Sequence, residues 1–189
     1  MSTSFLSDQE LQAVGFRSFG RNCQVSRYAR FYGAASMSME DNVRIDDFAI
    51  LSGAITLGSY VHIASHCVLH GGSDAAGISM GDFSGLSARV SVYAHSDDYS
   101  GLWLTNPTVP KELTNIISRN VSIGRHAIIG TGSVLLPGVL VGEGAALGAM
   151  SLAMKSLEPF TIYAGNPARR LKSRQRDFLL HEKKLEEHP

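Results

Sequence analysis

The chain has 189 residues, of which 44% are hydrophobic, so it is long enough for one domain with a substantial core. Its 17 Lys and Arg balance 17 Asp and Glu, and this neutral charge argues against a nucleic-acid-binding protein. The sequence shows no signal-peptide pattern and no apolar stretch as long as a membrane span, which predicts a cytoplasmic protein.

Residues 1–16 are predicted to form an N-terminal helical cap. Ser7 and Glu10 stand three residues apart at the start of this segment, which is the pattern of a capping box. Gly15 is a typical signal for the end of a helix. We therefore expect a short helix over about residues 8–14. Such a helix would cover the open edge of the repeat that follows.

Residues 17–158 follow a six-residue period in which apolar side chains recur at every sixth position. A short fixed period is the signature of a β-solenoid, because one hexapeptide makes a strand and a turn but cannot bury its apolar residue alone. Three hexapeptides make one triangular coil, so the period predicts a mainly β fold of about six coils. The predicted coils start at Phe19, Met39, Leu57, Met80, Ile123 and Val141.

Three insertions interrupt the period, and each of them follows the third hexapeptide of a coil. They come after Phe31, Leu69 and Val92, so we expect them to leave the prism at the same corner. The last insertion is a long loop over residues 95–120 that contains Trp103 and prolines. Loops on a repeat scaffold usually carry the function. The sequence therefore predicts an ordered functional loop at this corner.

Residues 159–189 are predicted to be a C-terminal segment followed by a helix. The repeat stops after Glu158, and the stretch from Leu171 to Glu187 mixes a few apolar residues with many charges. We interpret that stretch as a terminal helix. Its basic residues would form either an anion site near Arg169 and Lys172 or a solvated helical face.

The repeat and the tail from Ala164 to Arg169 (Ala-Gly-Asn-Pro-Ala-Arg) resemble the hexapeptide-repeat acyltransferases. The layout is most similar to the branch of galactoside, maltose and xenobiotic acetyltransferases and to bacterial sugar-modifying O-acetyltransferases. This resemblance implies a left-handed parallel β-helix, a homotrimer, and acetyl-CoA as co-substrate with no metal. It also implies acetyl transfer to a hydroxyl, or with less support an amine, of a sugar or glycoside.

His95 is the predicted general base, because the resemblance implies a catalytic histidine where the long loop begins and histidine titrates near neutral pH. If the alignment is anchored on Val92 and Tyr93 instead, Asp97 falls where the relatives have that histidine, so a neighbouring residue is the alternative. Contacts to the acceptor are expected from side chains at the same corner. These candidates are His70, Tyr93, Asp97 and Asp98.

For the coenzyme, the resemblance points to Thr131 and Ala149 on the last two coils. Small residues there would let the pantetheine arm approach the backbone. Lys155, Arg169 and Lys172 match the basic positions that hold the pyrophosphate or the 3′-phosphate in the family. Cationic side chains form strong charge-assisted hydrogen bonds with such groups.

Two other functions are compatible with a β-helix. A metal lyase similar to the gamma-class carbonic anhydrases is one, because the stretch from Ser65 to Gly71 contains His66 and His70 and resembles their metal-binding stretch. A catalytic zinc there takes three histidines, but these two stand four residues apart rather than five and no third ligand is evident. A β-helix used only for assembly is the other, and the long loop argues against it.

Overall fold

The structure is a computed structural model that describes residues 4–73 and 76–187. Short strands lie on three sheets, and successive strands of the repeat take the three sheets in turn. The first sheet contains β1 (Ser18–Phe19), β4 (Met37–Met39), β7 (Ile55–Leu57), β10 (Ile78–Met80), β15 (Val121–Ile123) and β18 (Leu140–Val141). The second contains β2 (Gln24–Val25), β5 (Arg44–Ile45), β8 (His62–Ile63), β11 (Gly85–Leu86), β16 (Ile128–Ile129), β19 (Ala146–Leu147), β21 (Thr161–Ala164) and β22 (Arg169–Ser173). The third contains β3 (Arg30–Tyr32), β6 (Ile50–Ser52), β9 (Val68–His70), β12 (Ser91–Tyr93), β17 (Val134–Leu135) and β20 (Leu152–Ala153).

The register of the first sheet confirms the predicted starts of the coils. Each predicted start is the parallel Cα partner of the next one along the prism: Phe19, Met39, Leu57, Met80, Ile123 and Val141. A partial seventh coil follows, because Leu157 forms a bridge with Val141 and β21 pairs with β19. The prediction of about six coils is therefore confirmed, with one further incomplete coil that the period did not predict.

Inward-facing aliphatic side chains form the core. In the second sheet, Val25, Ile45, Ile63 and Ile129 are completely buried, whereas the residue before each of them is exposed. Burial of one such side chain contributes about 1.5–3 kcal/mol. Because the columns run through all the coils, this burial holds each coil to its neighbours.

The first coil is covered by helix α1 (Asp8–Val14), as predicted. The Ser7 hydroxyl accepts a hydrogen bond from the backbone N–H of Glu10 at 3.3 Å, and the Glu10 carboxylate accepts one from the Ser7 N–H at 2.8 Å. Gly15 ends the helix with a left-handed φ of 80°. Leu11 is completely buried on the core side of the helix.

All three insertions leave from strands of the third sheet, which confirms the prediction of one shared corner. The first contains a 3₁₀ turn over Ala34–Ser36. The long one contains β13 (His95–Asp97) and β14 (Ile116–Ser118), which form an antiparallel pair, and a 3₁₀ turn over Lys111–Leu113. The long loop is therefore an ordered structure.

The C-terminal segment departs from the prediction. The residues from Leu171 to Ser173 belong to β22, which pairs antiparallel with β21, so a helix beginning at Leu171 is wrong. The helix, α2, spans Phe178–Glu187. These residues form a strand because β21 is the last parallel strand of its sheet and would otherwise expose an open edge. β22 pairs with that edge and covers it. No helix among the described residues is long and apolar enough to cross a membrane.

Helix α2 packs against the corner between the first and second sheets. His126 lies in a row of left-handed residues at this corner, and its ring stacks between Phe83 and Phe178 with centroid distances of 5.0 and 4.9 Å. Its Nε2 lies 2.9 Å from a carboxylate oxygen of Glu182. The period alone places His126 on the surface, but α2 covers it and leaves it 9% exposed.

Candidate active site

A cavity of about 890 Å³ lies where the long loop meets the third sheet. His70, Tyr93 and Leu136 line it from the prism. The loop contributes the rest of the wall, including His95, Asp97, Tyr99, Asn106, Pro107 and Lys111. This volume lies in the range of small-molecule binding sites.

The prism side of the cavity is a row of side chains at the carboxyl ends of third-sheet strands, which we call the exit edge. Ser52, His70 and Tyr93 are successive Cα partners at the ends of β6, β9 and β12. The rings of His70 and Tyr93 stack with centroids 5.3 Å apart. The Ser52 hydroxyl lies 3.0 Å from Nδ1 of His70. His70 is therefore held from both sides along the row.

His95 enters the cavity from the first strand of the loop. It follows Ala94, which is completely buried, and it pairs with Ser118 across the hairpin. Its ring lies edge-on to His70, with centroids 6.0 Å apart. Its Nδ1 is buried and has no hydrogen-bond partner among the described residues. Buried polar atoms are normally paired, so an unpaired one beside a cavity indicates a place for a ligand or a water molecule.

His70 is poised to stay neutral near physiological pH. Burial lowers its pKa, and the nearby His95 lowers it further. Desolvation, and after it the electrostatic interaction with the neighbouring imidazole, disfavours the charged form of His70. The two imidazoles therefore differ in their surroundings: one is bonded and kept neutral, and the other has an unpaired nitrogen.

The two predicted aspartates occupy different positions. Asp97 lines the cavity together with His95. The Asp98 carboxylate instead accepts hydrogen bonds within the loop, from the Ser100 backbone N–H at 2.7 Å and from the Asn115 side-chain amide at 2.7 Å. These bonds hold the pKa of Asp98 below its ordinary value, and the bond from the Ser100 backbone has the largest influence. Asp98 is thus placed to shape the loop, next to the cavity wall rather than in it.

The predicted coenzyme residues are not brought together with the cavity in one chain. Thr131 and Ala149 precede β17 and β20, so they lie at the opposite edge of the third sheet, which we call the entry edge. Lys155 follows β20 on the exit edge. Arg169 and Lys172 are exposed on β22 at the end of the prism. The third sheet separates the small residues expected at the pantetheine arm from His95.

Sequence reasoning missed Lys111 as a site residue. It is the one Lys or Arg among the described residues that line the cavity. It lies in the 3₁₀ turn of the long loop, 16 positions after His95 in the sequence. The loop has no period, so no sequence signal places Lys111 beside the exit edge.

The side chains do not support the carbonic-anhydrase alternative. His66 lies in the turn before β9, whereas His70 is the last residue of that strand, and the ring of His66 packs against Phe48 with centroids 5.0 Å apart. Among residues 4–73 and 76–187, no group of three or more His, Cys, Asp or Glu is arranged to hold a metal ion. The resemblance in sequence therefore does not correspond to a shared set of ligands.

Similarity to known proteins agrees with the fold and the cavity. No family model matches the chain. It is 41% identical over 179 residues to the dTDP-4-amino-4,6-dideoxy-D-glucose acyltransferase of Escherichia coli, covering 93% of this chain and 92% of that protein. It is 29% identical over 185 residues to WbbJ of Escherichia coli strain K12, a putative lipopolysaccharide biosynthesis O-acetyl transferase, covering 88% of this chain and 87% of that protein.

Solved structures give the same result. A variant of AntD, an N-acyltransferase from Bacillus cereus, in complex with dTDP-4-amino-4,6-dideoxyglucose and coenzyme A matches with a TM-score of 0.96, 42% identity and coverage of 100% of both chains. AntD in complex with dTDP and 3-hydroxybutyryl-CoA matches with a TM-score of 0.94, 44% identity and coverage of 98% of both chains. The chain therefore belongs to the hexapeptide-repeat acyltransferases. Within that family it is similar over nearly its whole length to one protein named as an acyltransferase of a dTDP-linked amino sugar, and to an N-acyltransferase crystallised with such a sugar nucleotide.

Proposed function

We propose that this enzyme transfers an acyl group from an acyl-coenzyme A to the amino group of a dTDP-linked 4-amino-4,6-dideoxysugar. The observation that supports this proposal most strongly is the full-length similarity to one protein named for that sugar nucleotide and to an N-acyltransferase solved in complex with it. The sequence alone favoured a hydroxyl acceptor. The chain is also similar to WbbJ, a putative O-acetyl transferase, and O-acylation is therefore the second candidate. It ranks second because the identity to WbbJ is lower.

The cavity contains the groups that such a transfer needs. The amine nitrogen attacks the thioester carbonyl carbon, a C–N bond forms, and the C–S bond breaks. His95 accepts the proton that the nitrogen loses and passes it to the departing sulfur, as a general base and then a general acid. The Asp97 carboxylate, in the same cavity, orients the amine by accepting a hydrogen bond from it.

The diphosphate of the acceptor requires a cation in the same cavity, and Lys111 supplies it. A lysine ammonium forms charge-assisted hydrogen bonds with phosphate oxygens. The cavity thus has one positive group, Lys111 on the loop, for the diphosphate, and two imidazoles, His95 on the loop and His70 on the prism, for the sugar. Tyr93 contacts the sugar beside His70, and Asp98 supports the loop that carries Lys111.

The coenzyme is proposed to bind along the entry edge. Thr131 and Ala149 are exposed there and have small side chains that leave the backbone accessible to the pantetheine arm. Arg169 and Lys172 at the end of the prism, together with Lys155 on the exit edge of the neighbouring chain, would bind its phosphates. Because the entry edge and the cavity lie on opposite sides of the third sheet, the entry edge of one chain must meet the exit edge of another. The homotrimer that the family resemblance implies provides this arrangement.

The proposal is tested by offering purified protein two acceptors with the same nucleotide. dTDP-4-amino-4,6-dideoxyglucose carries an amine at the position where dTDP-glucose carries a hydroxyl. We expect thiol release from acetyl-CoA or 3-hydroxybutyryl-CoA, and an acylated product by mass spectrometry, with the amino sugar. Product formed from dTDP-glucose alone would establish the hydroxyl acceptor instead, and no product from either would overturn the proposed substrate class.

A further inference from the structure

The exit edge holds a serine that the proposed chemistry does not use. Ser52 follows Tyr32 and precedes His70 and Tyr93 in the row of Cα partners. Its neighbours in the row are aromatic, and its own side chain is half-buried. A short hydroxyl side chain at this place brings an oxygen to 3.0 Å from Nδ1 of His70.

The contacts of His70 leave its ring few alternative orientations. Tyr93 stacks on one side with an interplanar angle of 21°, and His95 lies edge-on at 72°. The bond to Ser52 then determines which edge of the ring faces the row. With Nδ1 paired, Nε2 is the ring nitrogen that a ligand in the cavity can reach.

A neutral imidazole at this place suits a sugar hydroxyl. Nε2 is a donor in one neutral tautomer of the ring and an acceptor in the other. A hydroxyl can both donate and accept, so it pairs with Nε2 in either case. A charged ligand group would be bound better by the cation of Lys111 elsewhere in the cavity.

We propose that Ser52 is a positioning residue: its hydroxyl fixes the orientation of the His70 ring, and His70 recognises a hydroxyl of the acceptor sugar through Nε2. This inference rests on the proposed function, because it assumes that a sugar nucleotide occupies the cavity. It assigns to His70 a recognition role distinct from the proton transfer assigned to His95. Ser52 touches no reacting atom and acts through His70.

The test is a set of variants measured with the amino sugar nucleotide and an acyl-CoA. For Ser52→Ala we expect KM for the sugar nucleotide to rise by about tenfold, the effect of one lost hydrogen bond, with KM for the acyl-CoA unchanged. Ser52→Thr, which keeps the hydroxyl, should restore the wild-type value. The double variant with His70→Ala should be no weaker than His70→Ala alone, because Ser52 acts through His70.

Ser79→Ala is the matched control. Ser79 also lies on an outward strand position, and its hydroxyl donates to Ser122 at 3.2 Å, but it belongs to the first sheet. We expect this variant to leave both KM values unchanged. If Ser52→Ala behaves like Ser79→Ala, or if it changes both KM values together, the positioning role is wrong.

The imidazole nitrogen signals of His70 separate this inference from the proposed function. We expect ¹⁵N NMR of the unliganded protein to show a shifted His70 Nδ1 signal in Ser52→Ala relative to wild type, because the hydrogen bond with Ser52 is lost, and an unshifted signal in Ser79→Ala. This outcome does not depend on which substrate is used. An unchanged Nδ1 signal in Ser52→Ala would overturn the role of Ser52 even if acyl transfer is confirmed. The NMR result with no acyl transfer in the wild type would instead contradict the proposed function.

Discussion

Two corners of the prism each place histidine against aromatic rings, and they differ in what completes the contacts. At the corner under α2, His126 is stacked between Phe83 and Phe178 and its Nε2 meets the Glu182 carboxylate. At the exit edge, Nδ1 of His95 is buried and unpaired among the described residues, and a cavity lies beside it. A histidine with its polar atoms paired and its faces covered stabilises the fold, whereas one with an unpaired atom beside a cavity is available for chemistry.

Among the substitutions that test this comparison, the one at His95 is expected to have the largest effect on activity. His95→Ala should reduce kcat on the order of 10²–10⁴-fold, because a positioned general base contributes about that much. The melting temperature should change little, since the replaced ring borders a cavity. Steady-state kinetics and thermal unfolding of the same preparation check both parts. If the activity of His95→Ala is within threefold of wild type, His95 is not the base. Asp97, the neighbouring alternative, would then be tested with Asp97→Asn.

A smaller effect is expected at Lys111. Lys111→Ala should weaken dTDP binding by about 10- to 100-fold, which corresponds to the loss of a hydrogen bond to a charged group. Lys111→Arg should retain most of the affinity because it keeps the cation. Calorimetric titration with dTDP at two salt concentrations measures the loss. Equal affinity of Lys111→Ala and wild type would place the diphosphate elsewhere.

At the α2 corner, the expected effect is on stability rather than on catalysis. Glu182→Ala removes the carboxylate that pairs with His126 and Arg125. Leaving such partners unpaired should lower the free energy of unfolding by about 1–3 kcal/mol, with kcat unchanged. Denaturant unfolding measures the loss, and Glu187→Ala, at the exposed end of the same helix, is the control. A loss of kcat without a loss of stability would contradict the division between the two corners.

The smallest effect concerns the pH dependence of stability through His70. Its pKa in the folded protein lies below the ordinary value of 6.5, so the unfolded chain binds a proton more readily. The contribution of His70 to the free energy of unfolding is therefore fully present above pH 6.5, and it is lost as the pH falls through the pKa of the folded state. Between about pH 7 and pH 5, the free energy of unfolding should fall more in wild type than in His70→Asn. Parallel curves would show that His70 does not titrate differently on folding.

Much of the fold could be predicted because the period is a local property of the chain. The aliphatic residues at every sixth position predicted each coil start, and the register pairs them in that order. Ser7, Glu10 and Gly15 predicted α1 with its bounds. The C-terminal segment could not be predicted in the same way. The residues from Leu171 to Ser173 do not by themselves distinguish a helix from a strand. They form a strand because the open edge of β21 is available for pairing.

The candidate site was predicted in part. The insertions after third hexapeptides placed His70, Tyr93, His95 and Asp97 at one corner, and all four line the cavity. No sequence pattern indicated Lys111 or the bond between Ser52 and His70. Both depend on distances between segments that lie apart in the chain.

The sequence by itself determined the coils, the α1 cap and the corner from which the loops leave, because six-residue spacing specifies strand, turn and inward residue within each hexapeptide. Tertiary structure decided which polar atoms find partners. His126 stands in a turn of the repeat and His95 at the start of the long loop, and neither position indicates what packs against the ring: α2 covers one, and the long loop encloses a cavity beside the other. The pairing of a polar side chain depends on which distant segment packs over it, and no local pattern carries that information.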